Sequence, residues 1–183
     1  MTTSSSNATV TDGDSADFNS GNVTVAIVTN RASGEDLLAV RHDGNGAGQI
    51  GVSGNTISYG GTTIGTSAGG SGTNDLVISL NASSSPASVQ ALLRALTYQN
   101  SNSTDPSTSS RTVRVTVNDG DGGTSTNADI TVSVTGVNDA PTLAANGGAP
   151  TFTENGSGVD LFGGVSVGTA ESGQTIVQLV LTV

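Results

Sequence analysis

The sequence predicts an all-β chain: an antiparallel β-sandwich with one short helix, followed by the start of a second sandwich. Three observations lead there. Val, Ile and Thr alternate along several runs of five to nine residues, as in "GNVTVAIVT" and "RTVRVTVND". Gly- and Asn-rich clusters such as "DGNGAG" and "SAGGSGTN" separate the runs. A layout at the start of the chain returns near its end.

Taken in order, residues 21–29 read as a strand whose period of two puts Val23, Val25 and Ile27 on one face. Thr24, Ala26 and Val28 fall on the other. One buried face per strand points to antiparallel sheets. "GVSGNTISYGGTTIGT" (51–66) reads as short strands with tight turns, a hairpin laid on the sandwich. "DLVISL" (75–80) is the next strand. "SPASVQALLRALTY" (85–98) breaks the pattern. Ser85 is placed to cap a helix, Pro86 takes its first position, and Val89, Leu92, Leu93 and Leu96 form one apolar stripe. A helix over 86–95 across one end of the sheets follows. Strands at 111–119 and 128–136 complete an Ig-like arrangement.

"TGVNDAPTLA" (135–144) then places an acid and Pro141 between two strand-like runs. Proline fixes its own φ and keeps Ala140 extended, which suits a joint between units. The repeat supports this: "ATVTDGDSADFNSGNVTVAI" (8–27) and "VSVGTAESGQTIVQLVLTV" (165–183) share an apolar lead-in, an acid before Ser, a Gly and an alternating strand. Residues 1–140 are therefore expected to form one sandwich lacking its leading strand, and 141–183 the incomplete start of the next. About 40 residues rarely bury a core alone, so the tail is expected to offer an edge strand to a neighbouring chain.

Composition narrows the function. The net charge is −10 and all five basic residues are Arg, which excludes a phosphate-binding surface and makes nucleic acid an improbable partner. With no cysteine there is no disulfide framework and no thiolate metal site. No stretch approaches the roughly 20 apolar residues of a membrane span, so membrane insertion is not expected. No nucleophile elbow or phosphate loop is present, and the chain is not expected to be an enzyme.

Twelve of the fifteen acids are Asp. They gather in "TDGDSADF" (Asp12, Asp14, Asp17), "NDGDGG" (Asp119, Asp121) and "VNDAP" (Asp139). Two carboxylates on one D-x-D turn, about 5 Å apart, repel by roughly 3 kcal/mol at an effective dielectric near 20. Water, a proton or a cation must relieve that. Ca²⁺ accepts irregular oxygen cages and is the expected ion.

"TDGDSADFNSGN", then "LTYQN", then "VTVNDGDGGTSTNADITVSVTGVNDAP" resembles a bacterial cadherin-like repeat, over about residues 8 to 141. The resemblance restarts at "FTENGSGVDLFGGVSV". It implies a cadherin-like sandwich in a tandem array within a large adhesin, secreted or on the cell surface. It also implies Ca²⁺ ligands at Asp12 and Asp14, at Asp119 of the "DGG" turn, at Asn138 and Asp139 of the linker, and at Glu154 of the leading strand. Neighbouring repeats, and cell-surface or matrix ligands, would be the partners. This chain departs from the family pattern with Gly136 where the linker has an Asp, with Thr97 and Gln99 in place of two acids, and with Thr169 and Glu171 in place of D-x-D.

Other motifs are turns. "GGSGTNDLV" (69–77) resembles a single calcium-binding nonapeptide, a type of site that forms only between stacked copies. "DGNGAG" (43–48) lacks the Glu that closes an EF-hand, since Gly54 stands there. His42, the single histidine, is placed at a strand end. The alternative function is a glycan- or protein-binding module using the Gly-rich hairpin at 51–74, where Tyr59 is the one aromatic.

Overall fold

The computed structural model describes residues 8–182. Its elements are β1 (Asn22–Thr29), β2 (Asp36–Val40), β3 (Ile50–Ser53), β4 (Thr56–Tyr59), β5 (Thr62–Ala68) and β6 (Leu76–Leu80), then α1 (Pro86–Ala95). β7 (Leu96–Asn100), β8 (Arg111–Asn118), β9 (Ala128–Val132), β10 (Thr142–Gly147) and β11 (Phe162–Gly168) follow. The chain is all-β, in antiparallel sheets, with a single short helix among the described residues. It divides into two compact units: the chain up to Ser101 with Ser107–Val134, and Asn102–Pro106 with Thr135–Val183.

The first unit holds a seven-stranded sheet, ordered β3-β4-β5-β6-β1-β8-β9, and a two-stranded ribbon, β2-β7. β1 lies centrally between β6 and β8, with Val23 opposite Ile78 on one side and Val117 on the other. Its alternation does what the sequence predicts: Val23, Val25 and Ile27 are buried and Val28 is exposed. Ile78, Leu80, Ile57, Ile64 and Val113 extend this apolar layer, and Leu38 of the ribbon packs on it. Each fully buried side chain of this kind contributes about 1.5–3 kcal/mol.

The helix starts where proline and serine place it. Ser88 N–H donates to Ser85 Oγ at 3.3 Å, and Ser85 N–H donates back to Ser88 Oγ at 2.8 Å. This reciprocal capping box uses Ser where Glu or Gln is usual. Val89, Leu92 and Ala95 are buried along one face. The chain leaves the helix straight into β7, whose Leu96 pairs with Val40.

One expectation is corrected. Residues 51–66 are not a hairpin laid on the sandwich. β3, β4 and β5 form a meander that continues the large sheet through β5–β6 pairing, Gly65 opposite Leu80. Gly65 explains the tight join, because a Cβ there would meet Ser79 O at 2.2 Å. Ile50, Ile57 and Ile64 put one buried side chain from each strand into the core.

β2 was not foreseen, and it carries the central polar contact. Asp36 opens β2 and Arg111 opens β8, each in the inward phase of its strand and each buried. Arg111 Nε donates to both Asp36 oxygens at 3.2 Å, and its Nη2 lies 3.1 Å from Asp36 Oδ1. Arg111 Nη1 donates to the carbonyls of Ser107, at 2.6 Å, and Ser109. Tyr98 OH of β7 donates to Asp36 Oδ1 at 2.6 Å, and Ala32 N–H donates to Oδ2 at 2.7 Å. Burial pushes the Asp36 carboxyl up, but the bonds from Tyr98, Arg111 and Ala32 outweigh it and hold it below the usual range. Burial, and then the bond to Asp36, push the Tyr98 phenol up.

Breaking this group by removing one partner should cost about 3–5 kcal/mol, because a buried charge is left alone. Asp36→Asn and Arg111→Met are each expected to lose that much in urea unfolding, and Asp36→Asn with Arg111→Met to lose clearly less than their sum. Full additivity in the double variant would contradict the pairing. The pH dependence follows from the lowered carboxyl. Its contribution is complete above the unfolded value, near 3.9, and is lost as pH falls through the lower folded value. Asp36→Asn should therefore flatten the acid limb of the stability curve, and an unchanged limb would contradict the shift.

Candidate functional site

The predicted ligands of the first unit, Asp12, Asp14 and Asp119, meet at one end of the large sheet, and backbone packing puts them there. The turn at 18–21 and the turn after β8 are pressed together: a Cβ on Gly21 would meet Asn118 O at 2.2 Å, and one on Gly120 would meet Asn19 O at 2.0 Å. Gly120 has φ +91°, a conformation other residues rarely adopt. Phe18 is buried beneath this contact and its N–H donates to Ser84 O at 3.1 Å. Phe18 thereby anchors the D-x-D loop to the core.

Asp12 and Asp119 each shape their own loop with one carboxylate oxygen. Asp12 Oδ1 accepts from Asp14 N–H at 3.3 Å and Ser15 N–H at 3.2 Å. Asp119 Oδ1 accepts from Asp121 N–H at 2.8 Å and Gly123 N–H at 2.9 Å. The two loops, over a hundred positions apart, are tied where Ser15 Oγ donates to Asp121 Oδ2 at 3.0 Å. Asp12 and Asp119 line one cleft of about 490 Å³, along with Val10, Phe18 and Val117.

The electrostatics show carboxylates crowded together. The Asp12 and Asp14 carboxyls are hydrogen-bonded to each other, which lowers Asp12, aided by the N–H groups of Asp14 and Ser15. The same bond raises Asp14, and the charges of Asp12 and then Asp119 raise it further. Gly123 leaves room for Asp119: a Cβ there would stand 2.1 Å from Asp119 Oδ2.

The donors are hard oxygens, which suits Ca²⁺, but they are few. No group of three His, Cys, Asp or Glu able to hold a metal ion is present among the described residues. Ca²⁺ takes six to eight oxygens, so these acids alone could supply only part of a coordination sphere.

The remaining predicted ligands belong to the second unit. Asn138 Oδ1 accepts from Gln174 Nε2 at 2.8 Å, and Asp139 N–H donates to Glu171 Oε1. Glu154 stands exposed in a turn. Elsewhere in the first unit, His42 is exposed, as expected of a strand end, and its Nδ1 accepts from Val52 N–H at 2.9 Å. Tyr59 packs partly buried against the core.

Sequence reasoning did not reach the Ser15–Asp121 link or the role of Gly123. "DGDGG" signals a turn, but which glycine faces a carboxylate depends on the loop's path. No protein family, curated protein or solved structure matches this chain. No helix among the described residues is long and apolar enough to cross a membrane.

Two glycine variants separate architecture from ligand placement. Gly120→Ala is expected to cost about 1–3 kcal/mol in thermal unfolding, since backbone must shift. Gly123→Ala should cost less, about 0.5–1.5 kcal/mol, because the Asp119 carboxylate rather than backbone has to move, weakening its bonds from Asp121 and Gly123 N–H. Equal losses in the two would contradict the assignment.

Proposed function

We propose that this chain is a structural, adhesive repeat unit: a cadherin-like spacer of a large secreted or cell-surface bacterial adhesin, stiffened by Ca²⁺. The observation that carries this reading is the meeting of Asp12, Asp14 and Asp119 at one pole, on two loops tied by the Ser15–Asp121 bond and lining one cleft. A divalent cation would cancel the repulsion among these carboxylates and hold two sequence-distant loops in one geometry. Asn138, Asp139 and Glu154 would do the corresponding work at the joint of the second unit. With carbonyls or water completing the sphere, affinity should be weak, of order 0.1–1 mM, as in extracellular modules. Neighbouring repeats of the same parent chain would be the first partners, and cell-surface or matrix ligands the eventual targets. No catalytic role is part of the proposal.

Thermal unfolding with and without Ca²⁺ tests it. At about 10 mM Ca²⁺ and a Kd near 1 mM, binding to the folded state adds about 1.4 kcal/mol, a rise of a few degrees in Tm. Asp12→Asn combined with Asp14→Asn should abolish the rise, and Mg²⁺ should produce less of it. A Tm unmoved by Ca²⁺, or moved equally in the double variant, would sink the proposal.

A further inference from the structure

The large sheet of the first unit is only partly covered. Its partner is a ribbon of two strands, and β9 lies at the far end of the seven. Val132 pairs with Arg111, Ile130 with Val113 and Ala128 with Val115, so β9 shares the inward phase of β8. Yet Val113 is 5% exposed and Ile130 is 51% exposed. A strand with core periodicity thus has nothing over it. The gap is a cavity of about 270 Å³ between the layers, lined by Val25, Leu38, Leu96, Val113, Val115 and Ile130 among others, with no charged side chain. β9 ends the large sheet and β7 ends the ribbon, so both present backbone edges unpaired with any strand among the described residues.

The same chain carries a segment of matching chemistry. "TIVQLVL" (175–181) has no charge and no strand partner among the described residues. Read with a period of two, Val177, Leu179 and Leu181 form an all-apolar face, 92%, 72% and 61% exposed, while Ile176, Gln178 and Val180 fall on the other face, whose one polar residue is Gln178. From Val177 to Leu181 is five residues, the length of β9, or about 16 Å of strand.

We infer that the uncovered flank between β7 and β9 is a strand-acceptor groove for residues 175–181 of a second copy of this chain, with Val177, Leu179 and Leu181 entering it. Open edges paired with an apolar floor are the requirements of strand addition. Each copy has one groove and one donor, so reciprocal exchange closes as a symmetric pair. The size is adequate. Extended chain exposes about 1.45 Å² per dalton, so two seven-residue donors burying half their surface, with an equal area of groove, remove roughly 2,000 Å². That is the class of a stable dimer. Calcium has no part in this contact.

The test uses the full chain in a chelator, with mass read by light scattering up to high micromolar concentration. A dimer is expected, and Leu179→Asp and Ile130→Asp should each return it to monomer while Gln178→Glu leaves it intact. Circular dichroism checks that both Asp variants stay folded, as their exposed positions predict. Because the chain lacks cysteine, Ile130→Cys chains mixed with mass-tagged Leu179→Cys chains should oxidise to a mixed disulfide. A chain monomeric at every concentration, a dimer that survives Leu179→Asp, or an Ile130→Cys, Leu179→Cys double variant that closes within one chain would each overturn the inference.

Discussion

A guanidinium buried between two sheets is the constraint on which the first unit depends. Arg111 is fully buried, and a charge in that position holds only if its bonds are met from several directions. Asp36 meets it from β2, and Ser107 and Ser109 from the segment leading into β8. Tyr98 of β7 closes the group by donating to the same carboxylate. Both strands of the ribbon are thereby fixed over β8. An apolar contact would allow sliding, whereas this one specifies a single seating. The placement has a cost in coverage: a two-stranded ribbon seated there leaves β9 bare.

The acid pole depends on a different device, backbone packed against backbone. Gly21 and Gly120 let two turns approach more closely than any side chain would allow. Their contact sets the separation of the Asp12 and Asp119 loops, and Phe18 beneath them links that separation to the core. One oxygen of Asp12 and one of Asp119 hold the loops by accepting main-chain N–H bonds, and Asp14 bears the electrostatic stress of its neighbours. A cation arriving there would act on that stress and leave the fold largely as it is. In the proposed function, an ion would in this sense stiffen a joint without being needed to build the module.

Much of this was legible in the residues. β1 and α1 were readable because local pattern and tertiary need agree: strict alternation in one, and serine, proline and a Val89–Leu92 stripe in the other. The 51–66 meander was read as separate strands but misplaced, because alternation says nothing about which edge a strand joins. Gly65, the close approach to β6, is silent in sequence. The Asp36–Arg111 group was missed although a signal existed. Arg111 stands in phase with Val113 and Val115, and Asp36 in phase with Leu38. An opposite pair of charges, each at an inward position, forecasts a buried ion pair once both strands are identified, and β2 at five residues was too short to stand out. The acids of the pole stood out in sequence as D-x-D and "DGG" turns resembling a cadherin-like repeat, but the bond that ties Ser15 to Asp121 required the loops' path.

The measurement closest to the centre of this account is residue-resolved: a Ca²⁺ titration of the amide spectrum of the isotopically labelled chain. The account predicts saturable shifts in the millimolar range, concentrated at Asp12 to Ser15 and Asp119 to Gly123, with the core amides of β1 and β8 nearly still. Shifts spread evenly over all the acids, or none at those two loops, would contradict a cation site at the pole.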